Sequence, residues 1–169
     1  MKVDQEEYVQ YVTARIPALR RLAFHLCGDE HRADDLVQEA ITKLYVHWRR
    51  ASQAANLDAY VRAILVRSFL DEKRRGWSRV TQMASTPERT AVDGPSVEDR
   101  VVVRAALDRL PRRQRATLVL RFLCDLSVAD AAEILNCSPA TVKTQTLHGL
   151  ATLRRLLGEP AYVALLEGK

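Results

Sequence analysis

The sequence has few cysteines, few aromatic residues and no long apolar run. Three cysteines, Cys27, Cys124 and Cys137, occur among 169 residues, and none of them forms a CxxC pair. A small odd number argues against a disulfide scaffold and for a reducing, cytoplasmic compartment. No apolar run approaches the ~18 residues that a transmembrane helix needs, and the acidic N-terminus lacks the apolar core of a secretory signal. We therefore expect neither a secreted nor a membrane-spanning protein.

Motifs for catalysis and metal binding are also missing. The chain contains no GxSxG, P-loop or GxGxxG pattern. Asp71 and Glu72 are adjacent, so on a helix their side chains point about 100° apart and cannot share one site. His25, Cys27 and His31 have no fourth metal ligand nearby. The sequence thus predicts no catalytic residue, no metal and no cofactor, which argues against an enzyme acting on nucleic acid.

Helical periodicity is present instead along most of the chain. One stripe of apolar residues recurs at steps of three and four, which is the pattern of one helix face. It consists of Ala33, Leu36, Val37, Ala40, Ile41, Leu44, Tyr45 and Trp48. A similar stripe runs from Val12 to Leu26, with Gly28 and Asp29 as the turn between the two. Asn56 is a suitable N-cap for a third helix, and no strand pattern occurs, so we predict an all-α fold.

The periodicity fails between Gly76 and Pro95. This segment holds two glycines, two prolines, two serines and three threonines without an apolar stripe, a composition typical of a linker. We therefore predict two small helical domains, 1–75 and 96–160, joined by the linker 76–95. A C-terminal tail, 161–169, follows and adds one helical turn. The sequence leaves open whether the two domains pack against each other.

Positive charge is concentrated on both sides of the linker. The whole chain has 26 Lys and Arg against 21 Asp and Glu, a net charge of +5. Residues 62–79 carry six bases and two acids, and residues 100–121 carry seven arginines and one aspartate. Two basic segments predict two separate contacts with one long polyanion. In the second segment we expect phosphate contacts from Arg112, Arg113 and Arg115.

Residues 126–150 are typical of a helix-turn-helix. Ser127 and Asp130 form a capping box for a short helix, and Asn136 and Cys137 make the turn. Ser138 and Pro139 then begin a longer helix, whose exposed side has short polar groups and few charges, as a groove-reading surface requires. The predicted DNA-facing residues are Ser138, Ala140, Thr141, Lys143, Thr144, Gln145 and His148. An ordinary helical hairpin with a solvated face is the alternative.

Two further surfaces have both a functional and a plain interpretation. The third helix and its end carry the basic residues Arg62, Arg67, Lys73, Arg74 and Arg75, with aromatic residues nearby. Such a set can follow a DNA backbone and stack on unpaired bases, or it can be a solvated helix end.

The polar side of the second helix carries Asp34, Asp35, Gln38 and Glu39, which suit either docking to a basic protein surface or simple solvation.

Three short runs in this order resemble a known family. DDLVQEA at 34–40 is similar to the "(E/D)DLVQE" helix of region two of the extracytoplasmic-function sigma factors, minimal members of the bacterial sigma-70 family. LPRRQR at 110–115 resembles the "LPxxxR" opening of region four. SPATVKTQT at 138–146 resembles "S.GTVKSQT", the recognition helix of the actinobacterial sigma-E-like branch. The three runs occur in the family's order around the linker, and the resemblance extends over nearly the whole chain.

The resemblance implies a non-catalytic RNA polymerase subunit that recognises promoters. Asp34, Asp35, Gln38 and Glu39 would face the clamp helices of core polymerase. The basic third helix would handle −10 DNA, and region four would read the −35 element and contact the flap. An anti-sigma factor is a further candidate partner. The alternative function is a helix-turn-helix regulator with an N-terminal helical dimerisation domain, which would not need the acidic face.

The chain departs from the family pattern at two places. Arg67 stands where the family commonly has Asn at the start of its −10 motif, so base preference at −10 is not carried over. His148 and Gly149 replace the usual Arg-Ala pair of the recognition helix. This change removes one expected phosphate contact, and glycine lowers helix propensity by about 1 kcal/mol.

Overall fold

The computed structural model describes residues 2–72 and 97–167, and within these ranges the chain is helical without any strand. The predicted linker and the predicted contacts Lys73, Arg74 and Arg75 lie outside the described residues. The described helices are α1 (Lys2–Cys27), α2 (Glu30–Val46), α3 (Trp48–Ala51), α4 (Leu57–Asp71), α5 (Val97–Asp108), α6 (Arg112–Leu118), α7 (Val128–Leu135), α8 (Pro139–Leu157) and α9 (Glu159–Glu167). The all-α prediction is confirmed.

The N-terminal half is built from α1 to α4, and its predicted turn and cap are confirmed. Gly28 adopts a φ of +76° between α1 and α2, a backbone conformation that favours glycine. The Asp29 side chain accepts a hydrogen bond from the Arg32 amide at 2.8 Å, and Asn56 accepts one from the Ala59 amide at 2.9 Å. These bonds satisfy amides that a helix start leaves without partners.

The helix-turn-helix of the C-terminal half forms as predicted. The Ser127 hydroxyl accepts from the Asp130 amide at 3.0 Å at the start of α7. The Ser138 hydroxyl accepts from the Thr141 amide at 3.1 Å at the start of α8. Between them Asn136 adopts the left-handed conformation with a φ of +52°, which lets the chain leave α7 sharply. Tail residues 161–167 belong to α9 and form more than the single turn predicted, and Tyr162 packs against the buried cluster that contains Leu153 of α8.

Helix α6 ends in a feature that the sequence pattern did not predict. It continues into a π-helical turn, Val119–Leu123, and the Cys124 amide donates to the Val119 carbonyl at 3.0 Å. A π turn contains one residue more than an α turn, so it rotates the following side chains relative to an α-helical stripe. Leu123, which a regular helix would place with buried Leu118 and Val119, is consequently 53% exposed.

Close packing explains why a glycine stands at position 149 of α8, although glycine lowers helix propensity. It lies buried on α8, and a Cβ atom there would stand 2.9 Å from Leu118 Cδ1 and 3.0 Å from Leu118 Cγ. The first distance is shorter than Cβ contacts in proteins and the second is unusually tight, and Leu118 has little room to move because it is only 3% exposed. The missing side chain therefore allows α8 to lie close to α6.

We expect Gly149→Ala to lower the free energy of unfolding by about 1 kcal/mol. Overpacking costs about 1–3 kcal/mol, which outweighs the roughly 1 kcal/mol gained in helix propensity. Urea unfolding followed by circular dichroism measures the difference. Ala151→Gly, at an exposed position of the same helix, is the control that reports propensity without packing. A Gly149→Ala protein more stable than the wild type would contradict the packing argument.

The two halves share one core. Leu26, Val66 and Phe69 of the N-terminal half belong to the same buried cluster as Ala116 and Leu120 of the C-terminal half. Helix α4 packs on α7, and α1 packs on α6 and the π turn. The two helical halves therefore form a closed arrangement in which both contribute to the same apolar interior.

Candidate nucleic-acid and protein-binding surfaces

The acidic residues of α2 lie on its outer side, opposite the buried stripe. Asp34, Asp35 and Gln38 are exposed and Glu39 is partly buried. Asp34 pairs with Arg20 at 2.7 Å, and Glu39 pairs with Lys43 at 2.7 Å. Exposed ion pairs of this kind contribute little to stability, so the carboxylates remain available to a partner.

The acidic face of α2 ends in two exposed apolar residues that the sequence pattern did not predict. Tyr45 was expected on the buried stripe, but it is 54% exposed, and the next residue Val46 is 71% exposed. The ring of Tyr8 lies between α1 and α2 and meets the Tyr45 ring edge-on, with the ring centroids 5.0 Å apart. Since positions 35, 38, 42 and 45 recur at steps of three and four, they lie along one side of α2. The face therefore runs from acidic to apolar.

The described basic residues of α4 differ in their surroundings. Arg62 lines a cleft of about 350 Å³ between α1, α4 and the chain at Leu123 and Cys124. Arg67 donates through Nε to the Ile134 carbonyl at 3.1 Å and through a terminal nitrogen to the Glu133 carbonyl at 3.0 Å. Helix α4 thus presents one arginine to a cleft and uses the other to bind α7.

The predicted reading face of α8 is open to solvent. Ser138, Ala140, Lys143, Thr144 and His148 are exposed, and Thr141 and Gln145 are partly exposed. The opposite side of the helix buries Val142, Gly149 and Leu153. This placement follows from the cap at Ser138, because a fixed helix start sets which residues point outward. The structure therefore brings the predicted −35 residues together on one helix.

The Thr144 and Gln145 side chains differ in hydrogen bonding. The Thr144 hydroxyl donates to the Ala140 carbonyl of its own helix at 3.0 Å. The Gln145 amide makes no hydrogen bond within the described residues. Since an amide has two donors and an acceptor, Gln145 is the residue of this face best suited to reading a base edge.

The three arginines expected to contact phosphate lie near the junction of the two halves. Arg113 is exposed. Arg112 stacks over the Phe69 ring at 4.1 Å and pairs with Glu72 at 2.8 Å. Arg115 is only 8% exposed, and burial lowers the pKa of its guanidinium from the ordinary value. In this arrangement Arg115 cannot reach a phosphate, because its terminal nitrogens are turned inward to backbone carbonyls.

No metal-binding group of three or more His, Cys, Asp or Glu side chains occurs among the residues that the structure describes. Burial, together with the charges of Arg104 and Arg21, lowers the pKa of His25. Burial raises the pKa of the Cys27 thiol to about 12, so this cysteine is protonated at neutral pH and behaves as a core residue. Among the described helices, none has both the length and the apolar content of a membrane span.

Comparison with known proteins matches both halves to one family. The family described as Sigma-70 region 2 matches residues 11–79, and the family described as Sigma-70, region 4 matches residues 100–153. The first match contains the acidic face of α2 and all of α4. The second contains the helix-turn-helix. Because the N-terminal half is a region-two domain, the alternative of a regulator with a dimerisation domain is not favoured.

Whole-chain relatives agree with these matches. The chain is 32% identical over 149 residues to the ECF RNA polymerase sigma factor EcfG of Rhodopseudomonas palustris, covering 86% of this chain and 82% of that one. It is 30% identical over 157 residues to the RNA polymerase sigma-E factor of Streptomyces coelicolor, covering 89% and 86%.

Solved structures extend the likeness to the fold. The sigma factor RpoE of Bartonella quintana, crystallised with the anti-sigma factor NepR, is similar with a TM-score of 0.70 and 27% identity over 90% of this chain and 97% of that one. CnrH, in complex with the cytosolic domain of CnrY, shares the fold with a TM-score of 0.65 at 21% identity, over 90% of this chain and 88% of that one. This chain belongs to the sigma-70 family as an extracytoplasmic-function sigma factor, a non-enzymatic promoter-recognition subunit of RNA polymerase.

Proposed function

We propose that the two halves divide promoter recognition between them. Helix α2 docks on the clamp helices of core polymerase through Asp34, Asp35, Gln38 and Glu39, with Tyr45 extending the contact. Helix α4 handles the −10 element through Arg62 and Arg67, together with the basic residues 73–75. Helix α8 reads the −35 element in the major groove. The domain boundaries are 1–75 and 96–160, as the composition predicts.

The observation that carries this proposal is the exposed polar face of α8. Ser138 and Pro139 fix the helix start, and the exposed residues of the first two turns, Ala140, Lys143 and Thr144, lie on the side away from the core. This is the geometry by which a recognition helix presents its N-terminal residues to base edges. An acidic face on a separate helix of the other half supports a second, protein-binding contact.

Partners follow from the same proposal. Core RNA polymerase and promoter DNA are the expected partners, and we place the chain in the cytoplasm, where both are found. The similarity to RpoE in its complex with NepR supports an anti-sigma factor as a third partner. The region-four half is expected to contact the polymerase flap when α8 is on DNA.

Run-off transcription with core polymerase on genomic fragments tests the function. We expect transcripts that start at defined positions only when the purified chain is added. Transcripts identical with and without the chain would contradict a promoter-recognition role.

A further inference from the structure

The cleft beside α1 contains positive charge that the described part of the chain does not neutralise. Its walls are α1, α4 and the chain just after the π turn, and its volume is about 350 Å³. Arg21 of α1 and Arg62 of α4 both line it. Neither side chain forms an ion pair or a hydrogen bond within the described residues. Two arginines from separate helices therefore meet at one cavity with their N–H donors unused.

The other ionisable groups of the cleft leave this charge uncompensated. Asp58, its one carboxylate, pairs with Arg15 at 2.8 Å and accepts a hydrogen bond from the Tyr11 hydroxyl at 2.6 Å. Burial and nearby arginines lower the pKa of His25, and burial raises the pKa of the Cys124 thiol. Both groups are therefore uncharged at neutral pH. Three arginines against one aspartate leave the cleft with two uncompensated positive charges.

The rest of the lining includes apolar side chains. Leu19 and Leu22 of α1 and Val61 of α4 line the cleft and are buried. Leu123, which follows from the π turn, also lines it but is 53% exposed. An apolar group placed in the cleft would leave water together with the Leu123 side chain, and this burial is favourable. The cleft therefore suits a ligand that combines negative charge with an apolar body.

We propose that this cleft binds a small phosphate monoester with an aromatic or other apolar group, and that Arg21 and Arg62 hold its phosphate. A phosphate monoester carries close to two negative charges at neutral pH, which equals the uncompensated charge of the cleft. Guanidinium groups bind phosphate oxygens through paired hydrogen bonds. A DNA phosphate carries only one charge. The volume lies within the range of small-molecule sites, near its lower end.

The site is independent of the proposed promoter contacts, and three probes separate its charge from its apolar lining. Phenyl phosphate has both a dianion and a ring, inorganic phosphate lacks the ring, and benzyl alcohol lacks the charge. In isothermal titration calorimetry with the full chain, phenyl phosphate should bind about tenfold more tightly than inorganic phosphate, and benzyl alcohol should give no measurable binding. Leu123→Ser should reduce the preference for phenyl phosphate and leave the binding of inorganic phosphate unchanged. Equal binding of the two phosphates by the wild type would overturn the proposal.

Arg21→Gln tests the phosphate contact, with Arg20→Gln as its matched control. Arg20 is the adjacent residue and pairs with Asp34 on α2 at 2.7 Å, outside the cleft, so its replacement makes the same change in charge. Loss of charge-assisted hydrogen bonds should weaken phenyl phosphate binding about tenfold in Arg21→Gln, whereas Arg20→Gln should bind like the wild type. Both arginines are exposed, so circular dichroism should show equal helix content. Arg62 stays unchanged because it also belongs to the proposed −10 surface.

Two results would remove this assignment. Equal affinity of Arg21→Gln and Arg20→Gln for phenyl phosphate would show that the attraction is not specific to the cleft. Binding of a short single-stranded DNA that depends on Arg21, without binding of phenyl phosphate, would assign the cleft to nucleic acid instead. Neither result would contradict promoter recognition, which run-off transcription tests separately.

Discussion

Replacing Asp35 and Glu39 by lysine is expected to abolish co-purification of the chain with core RNA polymerase. Both residues lie on the outer side of α2, and like charges facing each other across an interface cost several kcal/mol. The Glu39 side chain is only 30% exposed and pairs with Lys43 at 2.7 Å, so lysine at position 39 also meets a like charge within the helix. Pull-down from a mixture with purified core polymerase measures the effect.

Glu6→Lys with Glu7→Lys is the matched control for this experiment. Both glutamates are exposed on α1, and the pair changes the net charge by the same amount as the α2 variant. The control should retain polymerase, and circular dichroism should show equal helix content in all three proteins. Undiminished binding by the α2 variant would exclude this face as the docking surface.

Gln145→Ala should weaken binding to the preferred promoter by about 1–3 kcal/mol and relax the preference at one −35 position. The side chain lies one turn after Thr141 on α8, and its amide makes no hydrogen bond within the described residues. It can therefore bond to adenine N6 and N7 without first breaking a bond of its own. Binding across a set of −35 point-mutant promoters measures the change in ranking. A uniform loss on all promoters would show that Gln145 is not a base reader.

Lys143→Ala provides the contrasting variant on the same helix. Lys143 is exposed and carries a single positive charge on a flexible side chain, so if it contacts a phosphate its loss should weaken binding to all promoters alike. Loss of one such contact makes the dependence of log K on log salt shallower by about one unit. The two variants thus separate a loss of specificity from a loss of charge.

Helix starts were predictable because their causes are local. Asn56, Ser127 and Ser138 each bond to an amide three residues further on, so the sequence contains both partners within one turn. The helix-turn-helix was recognisable for the same reason. Once its two caps and the turn at Asn136 are placed, the exposed side of α8 follows from the helical repeat.

The features that were missed depend on residues far apart in the sequence. Nothing near Arg115 indicates that its guanidinium is buried, because the carbonyl that accepts its bond belongs to Leu26, 89 positions away. Tyr45 fits the apolar stripe of α2 by spacing, but it is 54% exposed, and its ring contact is with Tyr8 of α1, 37 positions earlier in the chain. By sequence alone Gly149 only lowers helix propensity, because the residue that requires a glycine there, Leu118, lies on another helix.

Arg115 and Arg112 bond to carbonyls of the N-terminal half that lie far from them in the sequence, and this separation bears on how the chain is made. During synthesis the N-terminal half leaves the ribosome first and folds as a unit, while the carbonyls of Leu26 and Phe69 are still open to water. Their arginine partners lie 89 and 43 positions away, beyond the linker, and contacts between distant positions form later than local helices. We therefore expect the contacts between the two halves to form last in folding, after each half has formed its own helices.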